Sequence, residues 1–301
     1  MNKFLCVCLS STIQRTVHFE NLTLTKVNRS QKYRMDASGK AVNSARVLNQ
    51  LEEGCVKAIC PLGQNNKDLF LDLAKKDNLK IEWIEIPGFT RECWTLLDTK
   101  NETTTELVVG EPAVEFDVEK KEDELCLLIE HSLNEVDGVL LAGSRPVYWS
   151  EGLVKKIAHM CVENNKFFIA DYHGKDLLNT LSVCTPSAIK INDDEFISTF
   201  GYDSALSDEQ FKNEVAKKSL ELSTIVIVTR GTKTTLAAAA GQVKEYPVEK
   251  VVPLNTTACG DSFSAGFLYE YVKTQDLDAA INRGTWCASR NAERDAPGTI
   301  V

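Results

Sequence analysis

The sequence predicts an α/β fold built on a mainly parallel sheet. Three observations carry that prediction. Short apolar runs recur along the chain, stretches with apolar residues at three- and four-residue spacing stand between them, and no internal repeat or Pro/Gly/Ser linker interrupts the alternation. Short apolar runs bounded by amphipathic helices are the pattern of strands buried on both faces of a parallel sheet. The expected division is one domain carrying a small β-layer.

The elements follow in order. Residues 4–9 (Phe-Leu-Cys-Val-Cys-Leu) imitate the apolar centre of a signal peptide, but the run is shorter and no small-x-small site follows it, so a first buried strand is expected. Residues 16–20 with Leu22 and Leu24 read as an antiparallel strand with a polar turn. A helix is expected over 41–51, a strand over 56–59, a helix over 67–75 and a strand over 81–86. Residues 93–98 and 103–109 flank Lys100-Asn101-Glu102 and read as an antiparallel pair that joins 16–24 in an accessory β-layer. The acidic run 115–124 reads as the solvated start of a helix over 125–133. Strands then fall at 138–141, 167–170, 188–191 and 224–229, with helices at 150–163, 208–222 and 262–273. No window approaches the roughly 18 apolar residues of a membrane span.

Composition narrows the function. A chain of 301 residues that is 43% hydrophobic and 26% charged builds a large core without staples. Its 34 Lys and Arg against 43 Asp and Glu give a net charge of −9, which disfavours nucleic acid and membrane surfaces as partners. An anionic ligand therefore needs a local cationic cluster. The ten cysteines show neither C-x-x-C pairs nor metal spacing and read as small hydrophobes, reduced in a cytoplasmic protein. The N-x-S/T sequons at Asn21, Asn28, Asn101 and Asn255 then carry no meaning, since glycosylation needs export.

The P-loop, the dinucleotide glycine fingerprint and H-E-x-x-H are all missing from the sequence. The strongest local signal is Asn255-Thr-Thr-Ala-Cys-Gly-Asp261, small residues running into an amphipathic helix. Amides at such a helix start form an anion site. Asp261 beside them repels a bound phosphate, which makes sense for a base that takes a proton from an attacking hydroxyl while the amides of Ala258, Cys259 and Gly260 hold transferred charge. An Asp near the N-cap that only stabilises the helix is the equal alternative on this motif alone. Gly260-Asp-Ser262-Phe-Ser264 misses a nucleophile elbow by its last glycine, and all four histidines precede Ser262, so an esterase is disfavoured.

These residues also carry a resemblance that runs along essentially the whole chain. Asn255 to Asp261 resembles the D-T-x-G-A-G-D signature of the ribokinase-like sugar kinases, the phosphofructokinase B family. Asp36-Ala-Ser-Gly39-Lys40-Ala-Val-Asn43-Ser-Ala-Arg46 resembles D-A-G-G-K-G-x-N-x-A-R of the branch containing 1-phosphofructokinases and tagatose-6-phosphate kinases, and Val27-Asn28-Arg29 and Thr90-Arg91 match that branch too. Lys190-Ile-Asn192-Asp-Asp-Glu195 is similar to K-P-N-x-x-E, Ala142-Gly-Ser144-Arg-Pro146 to S-G-S-x-P, and Thr229-Arg-Gly231 to the S-L-G turn.

The resemblance implies a three-layer ribokinase-like fold with a lid formed by residues 14–35 and 88–110. It implies ATP as phosphoryl donor, a sugar phosphate as acceptor, and a homodimer formed through the lid. Asp261 becomes the base. Gln14, Gly39, Lys40, Asn43, Arg91 and Ser144 fall to the acceptor, Lys40 and Arg91 gripping its phosphate as a point charge and a planar fork. Lys190, Asn192, Thr229, Gly231 and Asn291 fall to the nucleotide, and Asn192 with Glu195 to Mg²⁺. Without the resemblance, Asn192 and Glu195 read as a helix cap with its capping-box acid, and Lys40 and Arg91 as solvated cations.

Departures from the pattern bear on the acceptor. Gln14 stands where the branch has a sugar-binding Asp, Ser38 and Ala41 replace glycines, Ala142 replaces a serine, Arg145 adds a charge near the substrate turn, and Asn255, Ala258 and Cys259 stand in the D, G and A positions. Two other functions stay open at this stage: a kinase of an unphosphorylated sugar, polyol or nucleoside, and a non-catalytic sugar-phosphate-binding protein. Cys259 reads either as a slightly large alanine or as a thiol activated by the helix dipole.

Overall fold

The computed structural model describes residues 2–111, 115–203 and 205–301. Strand β1 (Phe4–Val7) is followed by β2 (Thr12–Phe19), β3 (Tyr33–Ser38), α1 (Lys40–Leu51), β4 (Val56–Gly63), α2 (Lys67–Lys76), β5 (Lys80–Ile86), β6 (Arg91–Asp98) and β7 (Thr103–Val108). Then come α3 (Val118–Leu133), β8 (Gly138–Ala142), α4 (Leu153–Glu163), β9 (Phe167–Asp171), α5 (Gly174–Leu181), β10 (Ala188–Asn192), α6 (Asp193–Phe200) and α7 (Asp208–Leu222). The chain continues through β11 (Ile225–Thr229), β12 (Thr235–Ala239), β13 (Gln242–Tyr246), α8 (Cys259–Thr274) and α9 (Leu277–Ala292).

Nine strands form one sheet in the order β13-β12-β11-β10-β9-β8-β1-β4-β5. The pairs from β11 to β5 are parallel, and β12 and β13 add an antiparallel edge. Successive side chains of a strand point to opposite faces, so β1 feeds two cores. Phe4 and Cys6 pack with Val42, Phe70, Phe267 and Ile281 of α1, α2, α8 and α9. Leu5 and Val7 pack on the other face with Leu125, Ile157, Phe196 and Phe211 of α3, α4, α6 and α7. This double burial explains the unbroken apolar runs.

From β1 the chain steps outward through β4 and β5, then reverses to β8 and steps the other way to β11. The reversal opens a crevice beyond the carboxyl ends of β1 and β8, the general place for ligands in such sheets. Over it lies a four-stranded sheet in the order β3-β2-β6-β7. The two separated segments do pair, but β2 and β6 run parallel, from Thr12 opposite Arg91 to Phe19 opposite Asp98. Only β2–β3 and β6–β7 are antiparallel. The strands of this small sheet cover 12–19, 33–38, 91–98 and 103–108. Leu22 and Leu24 lie in the loop between β2 and β3, with Leu24 81% exposed, not in a strand.

The acidic run enters α3 with Asp117 as N-cap, its carboxylate accepting the Lys120 amide, as a solvated helix start should. All ten cysteines are unpaired, and only Cys184 and Cys259 are not fully buried. Among the described residues, no helix is long and apolar enough to cross a membrane.

Candidate active site

The segment Asn255–Asp261 is held from behind. Asn255 is buried, its Oδ1 accepting the Thr257 amide at 3.0 Å and its Nδ2 donating to Asp295 O at 2.9 Å. Ala258 caps α8 with φ 68°, a left-handed conformation that a Cβ makes costly. The Cys259 amide turns back to Thr256 O at 3.3 Å, whereas the amides of Ala258 and Gly260 have no acceptor among the described residues. Those two remain for an anion. Asn291, expected at the nucleotide, is corrected to a support: it is fully buried, donates to Thr257 O at 2.8 Å, and accepts from the Ser262 hydroxyl and the Gly298 amide.

Asp261 opens the first turn of α8 and is 6% exposed. Asn43 of α1 donates to its carboxylate at 2.8 Å, and Ser44 donates to its backbone oxygen at 2.8 Å. The Asn43 amide is itself oriented by Ser38, which donates to its Oδ1 at 2.9 Å. Asn43 thus holds one carboxylate oxygen with one N–H of its amide and still lines the cleft. Behind Asp261 lies Asp171, at the carboxyl end of β9 and 1% exposed, which takes a 2.6 Å hydrogen bond from Ser264 and lies 3.3 Å from the Lys190 ammonium. Burial is the main force on Asp261 and, with Asp171 adding to it against Lys40, lifts its pKa to about 6. Burial also works on Asp171, but Lys190 and Lys40 overcome it and hold that carboxyl below its usual range. The same Asp171, followed by Asp261 and Glu195, holds the Lys40 ammonium above its usual range against desolvation. The two carboxyls are thereby pushed in opposite directions, Asp171 toward its charged form and Asp261 toward its neutral one.

On the acceptor side, Gly39 precedes α1 with φ 121°, and a Cβ there would meet Cys8 Sγ at 2.6 Å. Lys40 then opens α1 and is exposed to the cleft. Its stem packs on the turn after β8, since a Cβ on Gly143 would touch Lys40 Cβ at 3.5 Å. Arg91 is aimed by its Nε, which donates to Thr12 Oγ1 at 3.0 Å and lies 3.3 Å from Glu111. Its Nη groups take no partner among the described residues, which suits a fork for phosphate. Gln14 is buried and donates to Thr95 Oγ1 at 2.9 Å. Ser144 is exposed and does not line the cleft, a correction to its expected place at the substrate. Arg145 is held by Asp176 and the Trp149 carbonyl and adds no open charge.

On the opposite side, Lys190 packs so closely on α8 that a Cβ at Gly260 would lie 2.9 Å from its Nζ. Asn192 and Glu195 form a capping box: Asn192 Oδ1 accepts the Glu195 amide at 2.8 Å and Glu195 Oε2 the Asn192 amide at 2.9 Å. Glu195 Oε1 is left facing His173 at 3.6 Å. Thr229 lines the cleft, but Gly231 lies in the turn beyond it with φ 60° and does not. Among the described residues no group of three or more His, Cys, Asp or Glu could hold a metal by itself. Cys259 lines the cleft too, and burial with Asp261 pushes its thiol up despite a hydrogen bond from Asn291.

The cleft measures about 850 Å³ and brings together Gln14, Gly39, Lys40, Asn43, Arg91, Lys190, Asn192, Glu195, Thr229 and residues 258–261. A family model described as pfkB family carbohydrate kinase matches residues 3–300. The chain belongs to this family. It is a carbohydrate kinase, an enzyme with ATP as co-substrate. It is 28% identical over 295 residues to the 1-phosphofructokinase of Bacillus subtilis, covering 97% of this chain and 93% of the relative. Among solved structures, it is similar to phosphofructokinase-2 from Escherichia coli in complex with potassium, with TM-score 0.84 and 16% identity over 98% of this chain and 94% of that one. Ribokinase of Thermotoga maritima matches with TM-score 0.74 and 20% identity over 99% and 95% of the two chains. These likenesses show the ribokinase-like fold.

Sequence reasoning missed Asp171, Ser264, Thr95 and Glu106. Asp171 had a usable signal, a lone carboxylate ending an apolar strand, where α/β sheets place their ligand groups. Thr95 and Glu106 had none, because only the pairing of β6 with β2 and β7 brings them over the crevice.

Proposed function

We propose that the enzyme transfers the γ-phosphoryl of ATP to a hydroxyl of a phosphorylated ketohexose. The observation that carries this is one cleft holding a buried carboxylate with raised pKa, Asp261, between two uncommitted amides and two cations, Lys40 and Arg91, that open toward the acceptor. Asp261 takes the proton of the attacking hydroxyl at the oxygen not bonded to Asn43, the Ala258 and Gly260 amides receive the charge of the transferred group, and Lys40 with Arg91 orients the acceptor by its existing phosphate. The name of the Bacillus subtilis relative supports a phosphorylated acceptor.

Glu195 Oε1, outside the capping box, suits Mg²⁺, an ion bound through few carboxylates with water and phosphate completing its shell. Asn192 has its Oδ1 on the Glu195 amide and acts by orienting Glu195. When bound, the ion neutralises phosphate charge.

The lid would exclude water from the transfer. Its outer face carries Trp94 and Leu107 in register, and Tyr33 65% exposed, which supports packing of lid against lid in a homodimer. The unpaired cysteines support a reducing, cytoplasmic setting. The test is ADP release from Mg-ATP with a panel of free and phosphorylated sugars. Fructose 1-phosphate or tagatose 6-phosphate should far outpace fructose and tagatose, and equal turnover would refute the reading.

A further inference from the structure

The underside of the lid shows which group reads the sugar. Residues in register share a face, so Gln14, Cys93 and Val108 form one row across β2, β6 and β7, and Thr16, Thr95 and Glu106 form the next. Two polar groups of this surface are engaged, while Thr16 Oγ1, buried in the second row, has no partner among the described residues. Thr12 accepts from Arg91, and Gln14 donates to Thr95. Three carboxylates line the cleft among the described residues: Asp261 on the floor, Glu195 capping α6, and Glu106 on the lid. Glu106 therefore supplies the lid's only charged acceptor there.

Its present partner is informative. Glu106 Oε1 accepts the hydroxyl hydrogen of Thr257 at 2.7 Å, from the loop that leads into α8. The bond spans the cleft between residues 151 apart, at an exposed position. Thr257 lies one residue before Ala258, whose amide has no acceptor among the described residues. A carboxylate parked there opposes the arrival of a phosphoryl group at the same loop. We infer that Glu106 binds a hydroxyl of the acceptor sugar, and that the Thr257 hydroxyl holds its place until the sugar arrives. The chemistry of the two partners is the same, an aliphatic O–H donating to a carboxylate. The exchange satisfies Glu106 throughout and withdraws its charge from the anion loop as the ternary complex forms.

The inference rests on the sugar-phosphate reading of the cleft and makes a prediction that a structural latch does not. If Glu106 exchanges partners, the Thr257 bond competes with sugar, and the two residues act on affinity with opposite signs. Steady-state kinetics with fructose 1-phosphate as probe should show Glu106→Gln raising KM for the sugar roughly tenfold or more, as for loss of a hydrogen bond to a charge. Thr257→Val should lower the same KM by about twofold to fivefold, because the competing bond is gone. Glu106→Gln should not raise KM for ATP. The double variant should match Glu106→Gln, with nothing left for Thr257 to compete for. Both single variants raising KM for the sugar, or neither moving it, would overturn the inference. The underlying reading fails by a different result, wild-type enzyme using fructose as well as fructose 1-phosphate, and opposed shifts with either acceptor would still sustain the role of Glu106.

Discussion

Asn43 donates its amide to the Asp261 carboxylate across 2.8 Å, joining residues 218 apart in the chain. The bond ties the first turn of α1 to the first turn of α8. Because Asn43 Oδ1 is fixed by Ser38 and Arg46, the amide turns its Nδ2 toward Asp261. One carboxylate oxygen is therefore held, and the other takes no hydrogen bond among the described residues.

Activity should follow the ionisation of Asp261. Its pKa of about 6 predicts that kcat/KM is level at neutral pH and falls about tenfold per pH unit below 6. A profile flat down to pH 5 would contradict the assignment.

The same shift sets a stability effect of opposite sense. A carboxyl whose folded pKa lies above its unfolded value binds its proton more tightly when folded, so its contribution is greatest below about pH 4 and is lost as pH rises through 6. Asp261→Asn removes this burden. The variant should melt above wild type at pH 7.5, by up to roughly 3 kcal/mol, and the difference should close as pH falls toward 4. Thermal melts at both pH values check it, and a variant less stable at pH 7.5 would contradict it.

Arg91 reaches the cleft with its Nε held and its Nη groups open. Arg91→Lys keeps the charge and loses the planar fork. KM for a phosphorylated acceptor should rise about tenfold while KM for ATP stays within twofold. An unchanged acceptor KM would remove Arg91 from the phosphate site.

Ala258 sits at φ 68°. Glycine relieves the Cβ clash but gives the unfolded chain more freedom, so Ala258→Gly should gain about 0.5–1 kcal/mol. Urea melts should show a higher midpoint, and a lower one would mean that the methyl group packs usefully.

The central strands were legible because burial on both faces writes a continuous apolar run, as in the fully buried β1, β4 and β8. Helix α9 was not. Its packing against α8 runs through small residues: a Cβ on Gly266 would meet Arg283 O at 2.8 Å, and one on Gly284 would meet Phe263 O at 2.8 Å. Such close approach replaces the apolar period with Gly, Cys and Ser. Strands β12 and β3 were hidden by composition, the first rich in alanine and the second carrying Arg34, paired within the strand to Asp36. In the site, the local motif around Asp261 was readable, but its partners were not. Asp171 meets Ser264 across 93 residues and Glu106 meets Thr257 across 151, distances no local pattern records.

In the proposed mechanism everything depends on Asp261 as the group that takes the proton from the acceptor hydroxyl. The most direct measurement is single-turnover phosphoryl transfer to fructose 1-phosphate by Asp261→Asn beside wild type, with ATP affinity determined in parallel. A fall of roughly two orders of magnitude or more with ATP binding unchanged is the predicted result. A variant that transfers phosphate within a few-fold of wild type would contradict it.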